Sequence, residues 1–263
     1  MARSNFEACM AEIFKHEGGF VNHPRDPGGA TNMGITIGTL RGWRSGPVTV
    51  EDVRTLTKRE AQTIYRARYW NPVKGDDLPV GLDLVTFDPA VNSGNSRGAR
   101  WLQQALGGVA VDGKVGPQTV AAANKAEPVP VIKRACATRM GFLRGLRTWD
   151  AFGRGWSHRV ASVEAVSVRM AVEAAGAPAR PALVAEQQGA QVKADREGQA
   201  AGGTAAAGGG AGASGVTLAD LPTWGLVGLG VAVLVVVVIL LGQRRHDQDR
   251  AEAYEAAALE AGA

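Results

Sequence analysis

At 263 residues, 45% hydrophobic and 21% charged, the chain carries enough apolar material for one or two folded domains and is not a disordered polymer. Its formal charge of +4 and pI near 9.3 suit an anionic polymer, whether nucleic acid, membrane surface or cell wall. No basic helix with interleaved aromatics is present, which sets nucleic acid aside. Cys9 and Cys136 form no CxxC pair and have no histidine at ligand spacing, so neither a four-ligand zinc site nor any other metal or cofactor is expected. A disulfide between them stays open.

Phe6, Cys9, Met10, Ile13 and Phe14 recur at three- and four-residue steps, predicting a helix with one buried face. Ser4 or Asn5 can cap its start, and Gly18-Gly19 can end it. Glu17 then falls in the last turn, at the negative end of the helix dipole, while His16 points off the opposite face. Arg3, Glu7, Glu12, Lys15 and Glu17 interrupt any apolar run, so no signal peptide is expected here.

Phe20 to Thr36 is rich in Gly, Pro, Asn and Asp and reads as loop with a small hairpin around Ile35-Thr36-Ile37. Thr57-Lys58-Arg59-Glu60 is a capping box opening a helix to about Arg68. An apolar helix is expected from Pro79 to about Val91, and Ser96 can cap the next, which contains Trp101, Leu102 and Leu106. Two more helices are expected over Pro130 to Leu146 and Gly155 to Val172. From Gly176 to Gly215 the chain becomes Ala/Gly-rich, the composition of a flexible tether.

Trp224 to Gly242 then runs about 19 residues without a charge, the length of a bilayer-spanning helix. Trp224 suits one interface, and Arg244 and Arg245 the other. The expected fold is mainly α, lysozyme-like (α+β), with a small β-hairpin and a single C-terminal transmembrane helix. Its regions are 1–95 and 96–175, both folded and largely helical, 176–220 linker, 221–243 membrane helix and 244–263 charged tail.

A helix ending in an acid, then a polar loop-and-hairpin, then a helical lobe would frame a cleft. Cleaving a glycosidic bond needs one carboxyl that keeps its proton near neutral pH and a second carboxylate or polar group on the opposite side. A helix C-terminus and an apolar wall such as Phe14 or Phe20 both favour the protonated form of an acid. Glu17 fits the first role. Asp26, in "HPRDPGGATNMGIT", and then Thr31 could position a water or stabilise the cation.

Each candidate also has a plainer reading. A Glu before Gly-Gly is commonly solvated, and Asp26-Pro27-Gly28-Gly29 is a good turn. Trp70 could stack on a sugar or fill the core. Asn92 could hydrogen-bond an N-acetyl group or end a helix, and Asp88 reads as structural. Asp112-Gly113 and Gly116-Pro117 could contact the wall or simply turn between helices. The arginines of "FLRGLRTWDAFGRGWSHRV" could meet wall carboxylates or solvate a helix face.

"EGGFVNHPRDPGGATNMGIT" resembles the N-terminal signature of glycoside hydrolase family 108, bacterial and phage peptidoglycan hydrolases with N-acetylmuramidase activity. The likeness continues through "YRARYWNPVKGDDLPVGLDLVTFDPAVNSG" and "LQQALGGVAVDGKVGPQT". "RMGFLRGLRTWDAFGRGWSHRV" is similar to the predicted peptidoglycan-binding region that closes the family, so the resemblance covers roughly residues 4–165. It puts Glu17 in the place of the catalytic Glu. Related phage lysozymes carry an acid, an aspartate and a threonine in this order. Asp26 stands at the corresponding gap, but Thr31 is one residue short, and inversion or retention stays open.

The resemblance thus implies an N-acetylmuramidase cutting the MurNAc-β-1,4-GlcNAc bond, with Glu17 as general acid. The alternatives are a lytic transglycosylase and a non-catalytic membrane-to-wall tether. Expected partners are peptidoglycan, a lipid bilayer through residues 221–243, and a holin or secretion system. The positive-inside rule points to a single-pass protein of the inner membrane whose catalytic domain acts in the periplasm; the alternative is a tail-anchored protein whose enzyme waits in the cytoplasm until a holin-like lesion or a secretion system releases it.

Overall fold

The computed structural model describes residues 5–23, 28–207 and 223–262, so Asp26 lies outside the described residues. The chain divides into two compact units. One runs to Asp150 and includes Val166–Ala177; the other joins Ala151–Ala165 to the chain from Pro178 onward.

In the first unit, α1 (Phe6–His16) buries Phe6, Cys9, Met10 and Ile13, the predicted stripe. Asn5 stands at its N-cap but makes no cap bond with its side chain, which donates to Asp83 instead (3.0 Å). β1 (Thr31–Asn32) and β2 (Ile35–Thr36) form an antiparallel hairpin, and Val21 pairs with Thr31 on its outer side. Two residues, Met33 and Gly34, connect the strands, both with positive φ (48° and 71°). That is the two-residue connection whose twist suits a hairpin.

Three short helices follow: α2 (Ile37–Arg44), α3 (Val50–Arg54) and α4 (Lys58–Tyr65). Thr57 caps α4 through the Glu60 amide, but the Glu60 carboxylate turns to Arg44 (2.8 and 2.9 Å) rather than back to the cap. The complete capping box is at Thr49 and Asp52. α4 runs directly into a π-helical turn, Arg66–Trp70, and a 3₁₀ turn follows at Gly75–Asp77.

The core is built on α5 (Leu82–Ser93), buried all round from Leu82 to Ala90. It begins after the predicted Pro79 because Gly81 adopts φ +88°, where a β-carbon would stand 2.5 Å from the Ser167 carbonyl. Asp83 then accepts from the amides of Gly81 (2.8 Å) and Leu84 (2.7 Å). α6 (Asn95–Leu106) starts from Gly94, which puts Ser96 inside its first turn rather than at the cap. α7 (Pro117–Lys125) and α8 (Pro128–Arg144) follow, with α8 packed on α5 and α6. There Arg139 pairs with buried Asp88 at 2.8 Å. Cys9 and Cys136 are both buried free thiols, which closes the disulfide question.

α9 (Trp149–Ala174) contributes to both units. In the second unit the expected tether is corrected. Residues Ala179–Ala207 form helix α10, antiparallel to α11 (Thr223–Glu260). Alanine has the highest helix propensity, and Leu183, Ala190, Ala194 and Ala201 are buried on one stripe, where small side chains let two backbones approach.

The expected membrane span over 221–243 is not supported: among the described residues no helix is long and apolar enough to cross a membrane. α11 carries on unbroken through Arg244 and Arg245, so the tail is packed helix rather than a free end. Glu164 accepts from Arg250 Nε (2.9 Å), Arg250 Nη2 (2.7 Å) and Tyr254 Oη (2.8 Å), all buried. Asp247 takes Arg250 Nη1 (2.8 Å), and the Ser157 hydroxyl donates to Asp249.

Candidate active site

Glu17 is the C-cap of α1 and not part of its last turn. Its own amide still bonds to the Ile13 carbonyl (3.1 Å), but its φ of −89° and ψ of 132° turn the chain out into extended backbone. The next residue meets the hairpin, where the Met33 amide donates to the Gly18 carbonyl (3.1 Å). The Val21 and Thr31 amides and carbonyls exchange two bonds of 2.8 Å, so the strand leaving Glu17 lies along the hairpin edge.

The carboxylate itself sits against the hairpin turn. A β-carbon placed on Gly34 would stand 2.6 Å from Glu17 Oε2 and would overlap the Tyr65 hydroxyl. Tyr65 ends α4 with its ring fully buried, edge-on to Phe14 (centroids 6.0 Å apart), and its hydroxyl donates to the Met33 carbonyl (3.0 Å). Three parts of the chain therefore converge on one small volume: the end of α1, the hairpin turn and the end of α4. The π turn starting at Arg66 widens the helix at that point, and such insertions recur at functional sites.

Glu17 is half-buried, and the two aromatic walls expected beside it carry cations. Lys58 Nζ lies 5.2 Å over the Phe14 ring, and the Arg54 guanidinium lies 4.1 Å over Phe20. His16 is turned to Glu12 (3.2 Å), which also holds Lys15 (3.1 Å). Both basic residues of the helix end are thus directed at a buried acid one turn back.

The other sequence candidates are placed differently. Thr31 shares the hairpin with Gly34, and its hydroxyl donates to the Gly29 carbonyl (3.2 Å). Trp70 does not offer a sugar-stacking face, which corrects that reading: it is 0% exposed, edge-on to Phe6 and Phe87, with Gly75 pressed on its ring and Nε1 donating to Asp76 (2.9 Å). An indole with a bonded N–H and apolar neighbours on its faces is core. Asn92 is exposed in the last turn of α5, with Oδ1 accepting from Ser93 (3.2 Å). Asp112 caps its own turn, accepting from Gln103 (2.8 Å) and the Lys114 amide (2.9 Å) beside a groove of about 420 Å³ lined in part by Ala110, Pro117 and Thr119.

Residue-level reading of the sequence missed Met33, Gly34 and Tyr65. The "NMGIT" run does carry a hairpin signal, since a Gly between two polar or apolar alternations marks a turn. Nothing local marks Tyr65, which reaches the turn from 31 positions beyond Gly34.

The chain matches the profile of "Glycosyl hydrolase 108" over residues 10–94 and that of "Predicted Peptidoglycan domain" over residues 97–161. The first match runs from Met10 in α1 through the hairpin and α2–α4 to the end of α5. A solved structure described as "Structure of Brucella abortus SagA" is 44% identical, with alignment covering 65% of this chain and 97% of that one at a TM-score of 0.58. No curated protein gives a significant match. The chain belongs to the glycosyl hydrolase 108 family, and it is a glycoside hydrolase directed at peptidoglycan.

Proposed function

We propose that the protein is a lysozyme-like N-acetylmuramidase, cutting the MurNAc-β-1,4-GlcNAc bond with Glu17 as general acid. The observation that carries this is the placing of the Glu17 carboxylate at the hairpin turn, on extended backbone and half-buried, where three segments converge. A general acid must hold a proton within hydrogen-bond reach of the leaving oxygen, and a carboxyl fixed by its surroundings meets that need without reorganising. In this reading Asp26 and Thr31 serve the opposite side of the sugar, positioning water or stabilising the cation. The stereochemical outcome follows from whether Asp26 or water attacks.

The test uses purified sacculi and the full chain. Wild type releases muropeptides with reducing ends, Glu17→Gln releases at least about 100-fold less, and Asp26→Asn falls between them. Anhydro ends in the product assign a lytic transglycosylase instead. Full activity in Glu17→Gln removes Glu17 as the acid.

Attachment to lipid is the part of the reading that rests on α11. Its residues Val231, Leu234, Val235, Val238, Ile239 and Leu241 are exposed, and a contiguous apolar surface of this kind commonly marks a membrane or partner contact. On this reading the enzyme works at the inner membrane, facing the wall. Co-flotation of the full chain with liposomes supports it; recovery of all the protein in the lipid-free fraction removes it.

A further inference from the structure

We propose that Tyr65 is a positioning residue for Glu17, acting through its hydroxyl and the Met33-Gly34 turn; this rests on Glu17 being the acid. A core aromatic at the end of α4 would need no hydroxyl. Burying one costs free energy unless it is bonded. Here the ring is fully buried and its hydroxyl hydrogen is committed to a backbone carbonyl, that of Met33.

Met33 is a non-glycine residue with φ 48°, a conformation that persists where its surroundings impose it. Those surroundings are two hydrogen bonds on opposite sides of one residue. The Met33 carbonyl accepts from Tyr65 and the Met33 amide donates to Gly18, the residue after Glu17. Removing the hydroxyl releases one side of the residue that fixes the backbone beside the acid.

The hydroxyl also faces the acid itself. The site a Gly34 β-carbon would occupy is bordered by both the Tyr65 oxygen and Glu17 Oε2, so the two oxygens are within reach directly or through one water. While Tyr65 Oη donates to the Met33 carbonyl, the same oxygen can accept a hydrogen bond on its other side. A carboxyl that donates is the complementary partner for such an acceptor, so the hydroxyl can orient Glu17 at the moment it carries the proton it is to deliver. Gly34 is what leaves room for the two oxygens to face each other.

The experiment compares wild type, Tyr65→Phe and Glu17→Gln as full chains on soluble peptidoglycan glycan oligomers, measuring kcat and KM separately alongside thermal unfolding. Tyr65→Phe is expected to lower kcat about 10- to 100-fold, the scale of a misplaced catalytic group, with KM within about twofold and a single cooperative unfolding transition retained. A structural filler would leave kcat intact. Should Tyr65→Phe fold poorly, 3-fluorotyrosine at position 65 keeps ring and hydroxyl while weakening the oxygen as an acceptor, and kcat is expected to fall with KM unchanged. Unchanged kcat in the folded variant overturns the proposal while an inactive Glu17→Gln leaves the general acid standing. An active Glu17→Gln overturns both.

Discussion

Glu17 and Gly34 meet at the hairpin turn: the carboxylate oxygen Oε2 lies 2.6 Å from where a side chain on Gly34 would begin. The glycine is needed twice over, for its φ of +71° and for the space its missing β-carbon leaves. Gly34→Ala is therefore expected to displace the Glu17 carboxylate and the Tyr65 hydroxyl together. A non-glycine residue in left-handed backbone costs about 1 kcal/mol by itself, while the displaced acid lowers kcat/KM about 100-fold. Muropeptide release and thermal unfolding, measured together, separate the two effects. Wild-type release from the alanine variant would rule out this placement of the acid.

Asp88 and Arg139 tie α5 to α8 through an ion pair whose members are 0% and 4% exposed. Replacing Arg139 takes away a cation that lies 2.8 Å from a fully buried carboxylate, so Arg139→Met is expected to cost about 3–5 kcal/mol in denaturant unfolding. The double variant Asp88→Leu/Arg139→Met recovers most of the loss, since it removes the buried carboxylate together with its cation. Additive losses in the double variant would show that the pair does not couple.

Burial pushes the Asp83 carboxyl up to about 6, with hydrogen bonds from Asn5 and the Leu84 and Gly81 amides pulling the other way. A carboxyl raised in the folded state above its ordinary ~3.9 binds its proton more tightly folded than unfolded. Stability from this group is therefore present below about pH 4 and lost as pH rises through about 6, by roughly 3 kcal/mol across that window. In Asp83→Asn that slope is expected to disappear from the pH dependence of unfolding, with the backbone amides still accepted by the amide oxygen. An unaltered slope would show that other groups set it. The same burial, with Asp83 adding to it, pushes the Cys9 thiol well above its usual range, so Cys9 should react with thiol reagents only after unfolding.

Glu164 gathers Arg250 and Tyr254 from α11 onto α9 within the second unit. Arg250→Met removes the guanidinium that donates twice to the buried Glu164 carboxylate, and the C-terminal half of α11 is expected to detach. Limited proteolysis should then cut within residues 244–262 at least ten times faster than in wild type, while Tyr254→Phe, losing one hydrogen bond of about 1 kcal/mol, changes the rate only a few-fold. Equal rates in all three proteins would mean that the tail is held by its alanines alone.

The α1 stripe was legible because apolar side chains repeat with the helical period, and the hairpin because Gly and strand-forming residues sit side by side. α10 was misread for a physical reason: Ala and Gly are small and flexible in an unfolded tether, yet small side chains also pack helices closely. Which outcome holds depends on whether a partner helix lies alongside, and α11 does. Trp70 stayed open between two readings for a similar reason, since an aromatic after Tyr69 has the same composition whether it faces a sugar or Phe6 and Phe87.

What local sequence determined here is the inventory: an acid at a helix end, a glycine in a hairpin turn, a tyrosine ending a capped helix, and a long apolar run before two arginines. Tertiary structure alone decided that the first three meet, because their convergence depends on how α1, the hairpin and α4 pack. It also decided that the charged residues after the apolar run fold back onto α9, since a buried carboxylate such as Glu164 is tolerated only where a cation from elsewhere in the chain reaches it.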